Sequence, residues 1–305
     1  MSTEQSPRLL LDALEDTLSL LDNYGTDASE PKTPPPLPSL LQQCEELCAQ
    51  TSTPPLRTIH HLACSGGTVI SKCIAAMPNA ILLGEIDPLS RMRIEHPDKF
   101  APTDLLIHLR RSPRTVPDTV LEKVFQAGLQ ALHNDLVSSG QTLVLRDHAH
   151  SQFCTDEDPV SRPTLHELCS KILPMRSVVT IRHPLDAFLS LHTGNWQHFA
   201  PFTLEEFALR TASFLGRHQE IPIVRYEDFA AEPEPALQTI CDHLDLAYSP
   251  LATDLIALFQ LSGDSGRSGA AIALRERRPV PEEIEEQRRD SPAYAALCAR
   301  FGYDI

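Results

Sequence analysis

Three stretches of this chain carry residue types suited to holding anions. The first is Ser65-Gly66-Gly67-Thr68, which follows an apolar run from Leu56 to Cys64, broken by Arg57 and two histidines. Apolar residues then return as Val69, Ile70, Cys73, Ile74 and Met77, at helical spacing. A strand, a small-residue turn and a helix in succession can cradle a phosphate-like group. Glycine lets backbone N–H groups face the anion, and the helix N-terminus adds about half a positive charge. The same residues would also serve an ordinary βα turn. The second stretch is Val178-Val-Thr-Ile-Arg182-His183-Pro184-Leu-Asp186-Ala-Phe-Leu-Ser190. An apolar strand delivers Arg182 at its end, Pro184 suits a first helical position, and Ser190 follows on the same helix. A guanidinium fork beside a hydroxyl would hold a second phosphate; alternatively, Arg182 pairs with Asp186 across the turn. The third is Gly263-Asp264-Ser265-Gly266-Arg267-Ser268-Gly269, a composition fit for a flap over an anion or for a plain linker.

The first turn is not a nucleoside-triphosphate loop. That motif needs a longer Gly-bracketed loop ending in Gly-Lys-Ser/Thr, whereas Lys72 comes well after Gly67, about one turn into the helix. The strand Thr142-Leu-Val-Leu-Arg146-Asp147 also puts an arginine before the aspartate that would hold a metal. The stretch reads as a phosphate cradle without the metal apparatus of ATP chemistry.

Short apolar runs lie at Thr58–Cys64, Ala80–Gly84, Thr142–Leu145, Ser177–Ile181 and Ile221–Val224. Helical patterns separate them, near Thr68–Met77, Val116–Ser138, Thr164–Leu173, Pro184–His192 and Leu204–His218. Such alternation predicts an α/β fold, three layers deep, with a mainly parallel central sheet of about five strands and a site at the strands' C-terminal ends. After Val224 the pattern is mostly helical. Residues 1–50 read as a separate arm: an amphipathic pattern over 8–23, a Pro-rich linker at Pro31–Pro38 and a short helix over Ser39–Cys48. Residues 51–305 then form the main domain.

With 305 residues and 42% hydrophobic content, the chain can bury a large core. A net charge of −15 argues against nonspecific nucleic-acid or anionic-membrane binding, so an anionic ligand needs a local basic pocket. No apolar run approaches membrane-spanning length and the N-terminus lacks a signal pattern, which gives the expectation of a cytoplasmic protein. The eight cysteines are scattered without paired metal spacing and read as reduced thiols.

Taken in order, four elements resemble the sulfotransferases that use 3′-phosphoadenosine 5′-phosphosulfate (PAPS). They are strand–Ser-Gly-x-Thr–helix, strand–Arg-x-Pro-x-Asp-x-x-x-Ser, strand–Val-Arg225-Tyr226-Glu227-Asp228, and a Gly-rich loop with Arg. The resemblance spans about residues 57–270 and implies a P-loop-like sulfotransferase architecture. It implies that Ser65, Gly66, Gly67 and Thr68 bind the 5′-phosphosulfate, that Arg182 and Ser190 bind the 3′-phosphate, that Arg267 closes over it, and that Tyr226 lies near the nucleotide. The implied reaction moves the sulfuryl group from PAPS to a hydroxyl of a carbohydrate or small-molecule acceptor, leaving PAP. No metal is required, because a sulfuryl group carries one negative charge where a terminal phosphoryl carries two.

One position departs from the family. A Lys or Arg usually precedes Ser-Gly, and here Cys64 stands there. Lys72 and Arg146 are the candidate substitutes, with Arg146 favoured because it ends a strand pointing at the site. The acceptor hydroxyl must lose a proton, and two residues are placed for that. Glu85 ends the second strand, where the protein-tyrosine and some glycan sulfotransferases place a catalytic Glu. His148 follows the third strand and resembles the base of the cytosolic small-molecule enzymes. Glu85 is preferred on its spacing from Ser65-Gly66. Asp87–Phe100, with Arg91, Arg93 and His96, and His192–Phe199, with Trp196, are candidate acceptor walls. Arg275–Arg289 reads as a solvated helix and its approach. Two rival functions are a PAP- or PAPS-binding protein with a decayed site, which Cys64 keeps open, and a P-loop small-molecule kinase, which the absent Gly-Lys-Ser/Thr disfavours.

Overall fold

The computed structural model describes residue 39 and residues 53–92, 104–261, 272–274 and 276–305. The N-terminal arm (Ser39 aside), Arg93, His96 and the 263–269 loop with Arg267 lie outside the described residues. Thr53–Ile305 forms one compact unit.

Five parallel strands make a single sheet: β1 (Leu56–His60), β2 (Ala80–Ile86), β3 (Thr142–Asp147), β4 (Met175–Ile181) and β5 (Ile223–Arg225). Their order is β2-β3-β1-β4-β5, so β1 is central. The chain winds to one side of β1 for β2 and β3 and to the other for β4 and β5. The site therefore falls at the C-terminal end of β1, where the winding reverses.

The helices in chain order are α1 (Gly67–Ala75), α2 (Leu105–Arg110), α3 (Asp118–Ser138), α4 (His150–Phe153), α5 (Leu165–Ser170), α6 (Pro184–Thr193), α7 (Leu204–Arg217), α8 (Tyr226–Ala231), α9 (Pro233–Leu244), α10 (Ala252–Leu255), α11 (Glu282–Arg289) and α12 (Pro292–Phe301). They cover both faces of the sheet, which is why the strands read as continuous apolar runs. In β4, Val178 packs with Ile59, Val144 and the α1 residues Ile70 and Ile74. Its neighbour Val179 packs instead with Leu185 and Phe188 of α6 and Phe207 and Phe214 of α7. Successive side chains thus serve opposite layers, and the architecture is the expected three-layer α/β fold.

The charged residue inside β1 has a defined outlet. Arg57 is buried, and its Nε donates to the carbonyl of Leu244 at 3.1 Å while Nη2 reaches Asp245. The end of α9 thereby gains a cation where helix carbonyls lack partners.

Helix boundaries follow local chemistry. Thr164 and Glu167 form a reciprocal capping box at α5. Pro184 opens α6 behind His183, whose Nδ1 accepts from the Leu185 amide. Among the described residues no helix is long and apolar enough to cross a membrane.

Candidate active site

The turn after β1 is shaped by what presses on it. Gly66 caps α1 with φ of 81°, and a Cβ there would lie 2.1 Å from the ring of Tyr226. A Cβ on Gly67 would lie 2.1 Å from the ring of His61. Two aromatic rings thus occupy the space that any other residue would need. The Ser65 hydroxyl donates to the Leu62 carbonyl at 2.6 Å and ties the turn across its base. The first amides of α1 have no acceptor inside the helix, so an anion seated on the turn would meet them.

Arg182, at the end of β4, reaches the same turn. Its Nη1 donates to the Cys64 carbonyl at 3.2 Å, and its guanidinium sits 5.4 Å from the centre of the Tyr226 ring. The Asp186 carboxylate is paired with Arg277 at 2.8 Å, leaving the Arg182 guanidinium facing the cradle. Ser190 lies one turn beyond Asp186 and donates to its carbonyl at 2.9 Å. Tyr226 opens α8 directly after β5, and the next residue, Glu227, ties His183 and Tyr303 together.

A second group assembles from β2 and β3. Near its end β2 breaks register with β3 between Leu83 and Ile86, and there Glu85 adopts φ of 57°. A left-handed glutamate costs on the order of 1–3 kcal/mol and persists only where its surroundings hold it. Here the holder is Arg146, whose Nη2 lies 2.8 Å from Glu85 Oε1. The same Nη2 donates to Thr68 Oγ1 at 3.0 Å, and Nε donates to His61 Nε2 at 3.0 Å. Glu85 Oε2 faces His148 Nε2 at 3.4 Å. Burial works against the Arg146 charge, and Glu85 works for it. Burial, followed by the Arg146 charge, pushes His61 down to about 3. His61 is therefore neutral, with Nδ1 donating to the Leu62 carbonyl and Nε2 accepting from Arg146.

Of the residues expected from the sequence, the structure brings together Ser65, Gly66, Gly67, Thr68, Arg146, Glu85 and His148 on one side, and Arg182 and Tyr226 on the other. Lys72 lies half-buried further along α1. Burial raises the Cys64 thiol to about 11, so the position that usually carries a cation is uncharged at neutral pH. The charges of Arg182 and Arg278 both act on Cys64. Sequence reasoning missed Arg278. The expected solvated helix begins only at Glu282, and Arg277 and Arg278 lie in the extended approach to it. Pro279 and Pro281 were the available signal. Of the proposed acceptor walls, Trp196 packs on the apolar layer of α6 and α7, and Arg91 makes long pairs with Asp118 and Glu157 at 3.6 and 3.7 Å. The six described cysteines are free thiols.

A sequence profile described as the sulfotransferase family matches residues 59–250. The chain belongs to the sulfotransferase family. Among solved structures it is similar to a sulfotransferase domain from the curacin biosynthetic pathway, at 14% identity and a TM-score of 0.47, covering 84% of this chain and 100% of that one. A sulfotransferase domain from the Synechococcus PCC 7002 olefin synthase matches at 18% identity and a TM-score of 0.46, covering 84% and 99% of the two chains. A sulfotransferase from Alicyclobacillus acidocaldarius matches at 12% identity and 0.44, covering 83% and 98%. No curated protein matches the sequence.

Proposed function

We propose that the chain moves the sulfuryl group of PAPS to a hydroxyl of a carbohydrate or small-molecule acceptor. The observation that carries this reading is Arg146, a buried guanidinium joining Thr68 of the cradle to Glu85 at the end of β2. It links a donor seat to a proton acceptor through one fixed cation.

Ser65, Gly66, Gly67 and Thr68 hold the 5′-phosphosulfate. Arg182 and Ser190 take the 3′-phosphate, Arg267 closes over it, and Tyr226 walls the nucleotide. Arg146 supplies the positive charge that Cys64 lacks, with Lys72 as the other candidate, and Arg278 adds to the field on that side. The acceptor oxygen attacks sulfur, the sulfur–oxygen bond to the 5′-phosphate breaks, and PAP leaves with the electron pair. Glu85 receives the acceptor proton. Oε1 is fixed by Arg146, and Oε2 remains oriented toward His148, which shares the proton or relays it outward. Because charge is met by guanidinium groups and amides already in place, little reorganisation accompanies transfer. Free thiols support a cytoplasmic setting.

The neutral thiol at Cys64 favours one second reading, a protein that binds PAP or PAPS without turnover. Labelled-sulfate transfer from PAPS into a pooled extract of hydroxyl compounds separates the two. Labelled product is expected. Thermal stabilisation by PAP without any product selects the binder, and stabilisation by ATP–magnesium alone overturns both readings.

A further inference from the structure

A second polar cluster lies behind the cradle, outside the groups assigned to transfer. His60 ends β1, Asp147 ends β3 and His218 follows α7; all three are at least 95% buried. His60 Nδ1 and Asp147 Oδ2 are 2.7 Å apart. One ligand atom of each of the three residues lies within 4.8 Å of the others.

The surrounding hydrogen bonds fix the tautomer of His218. His218 Nδ1 is 2.8 Å from the Phe214 carbonyl, an acceptor only, so Nδ1 carries the proton and Nε2 the lone pair. That Nε2 is buried and has no hydrogen-bond partner among the described residues. His60 Nε2 is 2.8 Å from Thr58 Oγ1, which is 2.7 Å from Ser177 Oγ, which is 3.1 Å from His166 Nδ1. The hydroxyls between the two imidazoles can pass their hydrogens in either direction, and when they run outward from His60 its Nδ1 presents a lone pair to Asp147. Three lone-pair donors then converge. A single proton between His60 and Asp147 satisfies two of them and leaves His218 Nε2 orphaned in the core. One cation satisfies all three.

We propose that His60, Asp147 and His218 bind a structural zinc ion. Two imidazole nitrogens and one carboxylate oxygen are a borderline donor set, suited to zinc, with a water completing the tetrahedron. Zn–N and Zn–O lengths of about 2.0–2.2 Å put neighbouring donors about 3.3 Å apart. His60 Nδ1 and Asp147 Oδ2 lie closer than that, at 2.7 Å, and one ligand atom of each residue lies within 4.8 Å of the others, so the ion would spread the first pair and draw His218 in. Thr58 and the Phe214 carbonyl hold the outer nitrogens, as second partners of metal-bound imidazoles do. The ion takes no part in sulfuryl transfer. It fastens the ends of β1 and β3 to the end of α7, and so fixes the residue after β1, His61, and the residue before Asp147, Arg146, both of which shape the cradle.

The test uses the full chain, purified from zinc-supplemented medium without an affinity metal and desalted into metal-free buffer. Elemental analysis is expected to find about one zinc per chain. A chelator should remove it and lower Tm by at least about 5 °C, with recovery on adding zinc. His218→Ala should lose the ion and the chelator response together, while PAP still stabilises it. If that variant does not fold, titrating chelated parent protein with cobalt provides the same test, since tetrahedral cobalt gives visible absorption bands. Metal below a tenth of an equivalent, with no Tm response to added zinc and no cobalt bands, overturns the proposal. Stoichiometric iron in place of zinc overturns the choice of ion. Neither result touches the transfer reading, which stands or falls on labelled product.

Discussion

The proposed donor cradle and the proposed proton-accepting edge meet at Arg146 but hold their shapes by opposite means. The cradle is made of backbone, and its side chains act by exclusion: the rings of Tyr226 and His61 fill the places where Gly66 and Gly67 would carry a Cβ. The edge is made of charge, with a left-handed Glu85 kept in place by a buried Arg146. Steric exclusion tolerates salt and pH but no added methyl group. An ion pair tolerates small changes of volume but not the loss of either charge, since the partner is left buried alone. The difference predicts that damage to the cradle appears in nucleotide binding and fold stability, and that damage to the edge appears in turnover.

The largest expected effect is at the edge. Glu85→Gln keeps the shape and removes the proposed base, so turnover should fall about 10²–10⁴-fold while PAP affinity changes little. His148→Ala, compared in the same labelled-sulfate assay, should fall less. Full activity in both variants would overturn the base assignment.

Gly66→Ala should strike the cradle. A side chain at φ of 81° and a collision with Tyr226 together should cost about 2–4 kcal/mol and abolish PAP stabilisation, read by urea unfolding and thermal shift. A Gly66→Ala protein that binds PAP normally would show that the ring yields and that the exclusion argument is wrong.

Arg278→Ala tests whether the field around Cys64 has a third contributor. We expect turnover to drop about tenfold, ~1.4 kcal/mol of transition-state stabilisation, with stability unchanged. An unchanged rate would leave Arg146 as the cation that matters.

The smallest effect is on pH dependence. His150, on α4 beside the edge, is buried with neither ring nitrogen hydrogen-bonded among the described residues, and burial followed by His148, His198 and His61 lowers it from 6.5 to about 3. Below 6.5 the unfolded chain takes up a proton that the folded chain refuses, so stability falls as pH drops toward 3. His150→Leu removes this contribution. Its urea midpoint should gain on the parent between about pH 7 and about pH 4.5. Parallel midpoints would mean that His150 is protonated in the fold.

Much of the fold was legible because strands buried on both faces leave unbroken apolar runs and the intervening helices keep their periodicity. The ends were less legible. β1 stops at His60 instead of Cys64 because the chain turns into the cradle, where Cys64 itself has φ of 63°. β2 continues to Ile86 because the break at Glu85 bends the strand without ending it. Helix α2 was missed, although Asp104 caps it by accepting from the Ile107 amide.

At the candidate site, the placement of Ser65 to Thr68 after β1, of Arg182 after β4 and of Tyr226 after β5 was readable from residue type and order. These residues act through their own backbone or stand at strand ends, and a strand end in a parallel sheet has one place to go. Pairing was not readable. Whether Arg182 would bond Asp186 or face the cradle depended on Arg277, which is 91 residues beyond Asp186 in the chain. That Arg146 would join Thr68 to Glu85, and that His60, Asp147 and His218 would meet, required the strand order as well as the strands.

The cradle's composition, the order of the anion-binding elements and the missing cation at Cys64 are matters of local chemistry, and the residues carry them wherever the chain goes. The reach of Arg146 to Thr68 and Glu85, the strain at Glu85, the approach of Arg278 and the convergence of three buried side chains belong to the packed molecule. They depend on β3 entering between β2 and β1, which brings residues more than sixty positions apart to within hydrogen-bond distance, and no local pattern encodes that insertion.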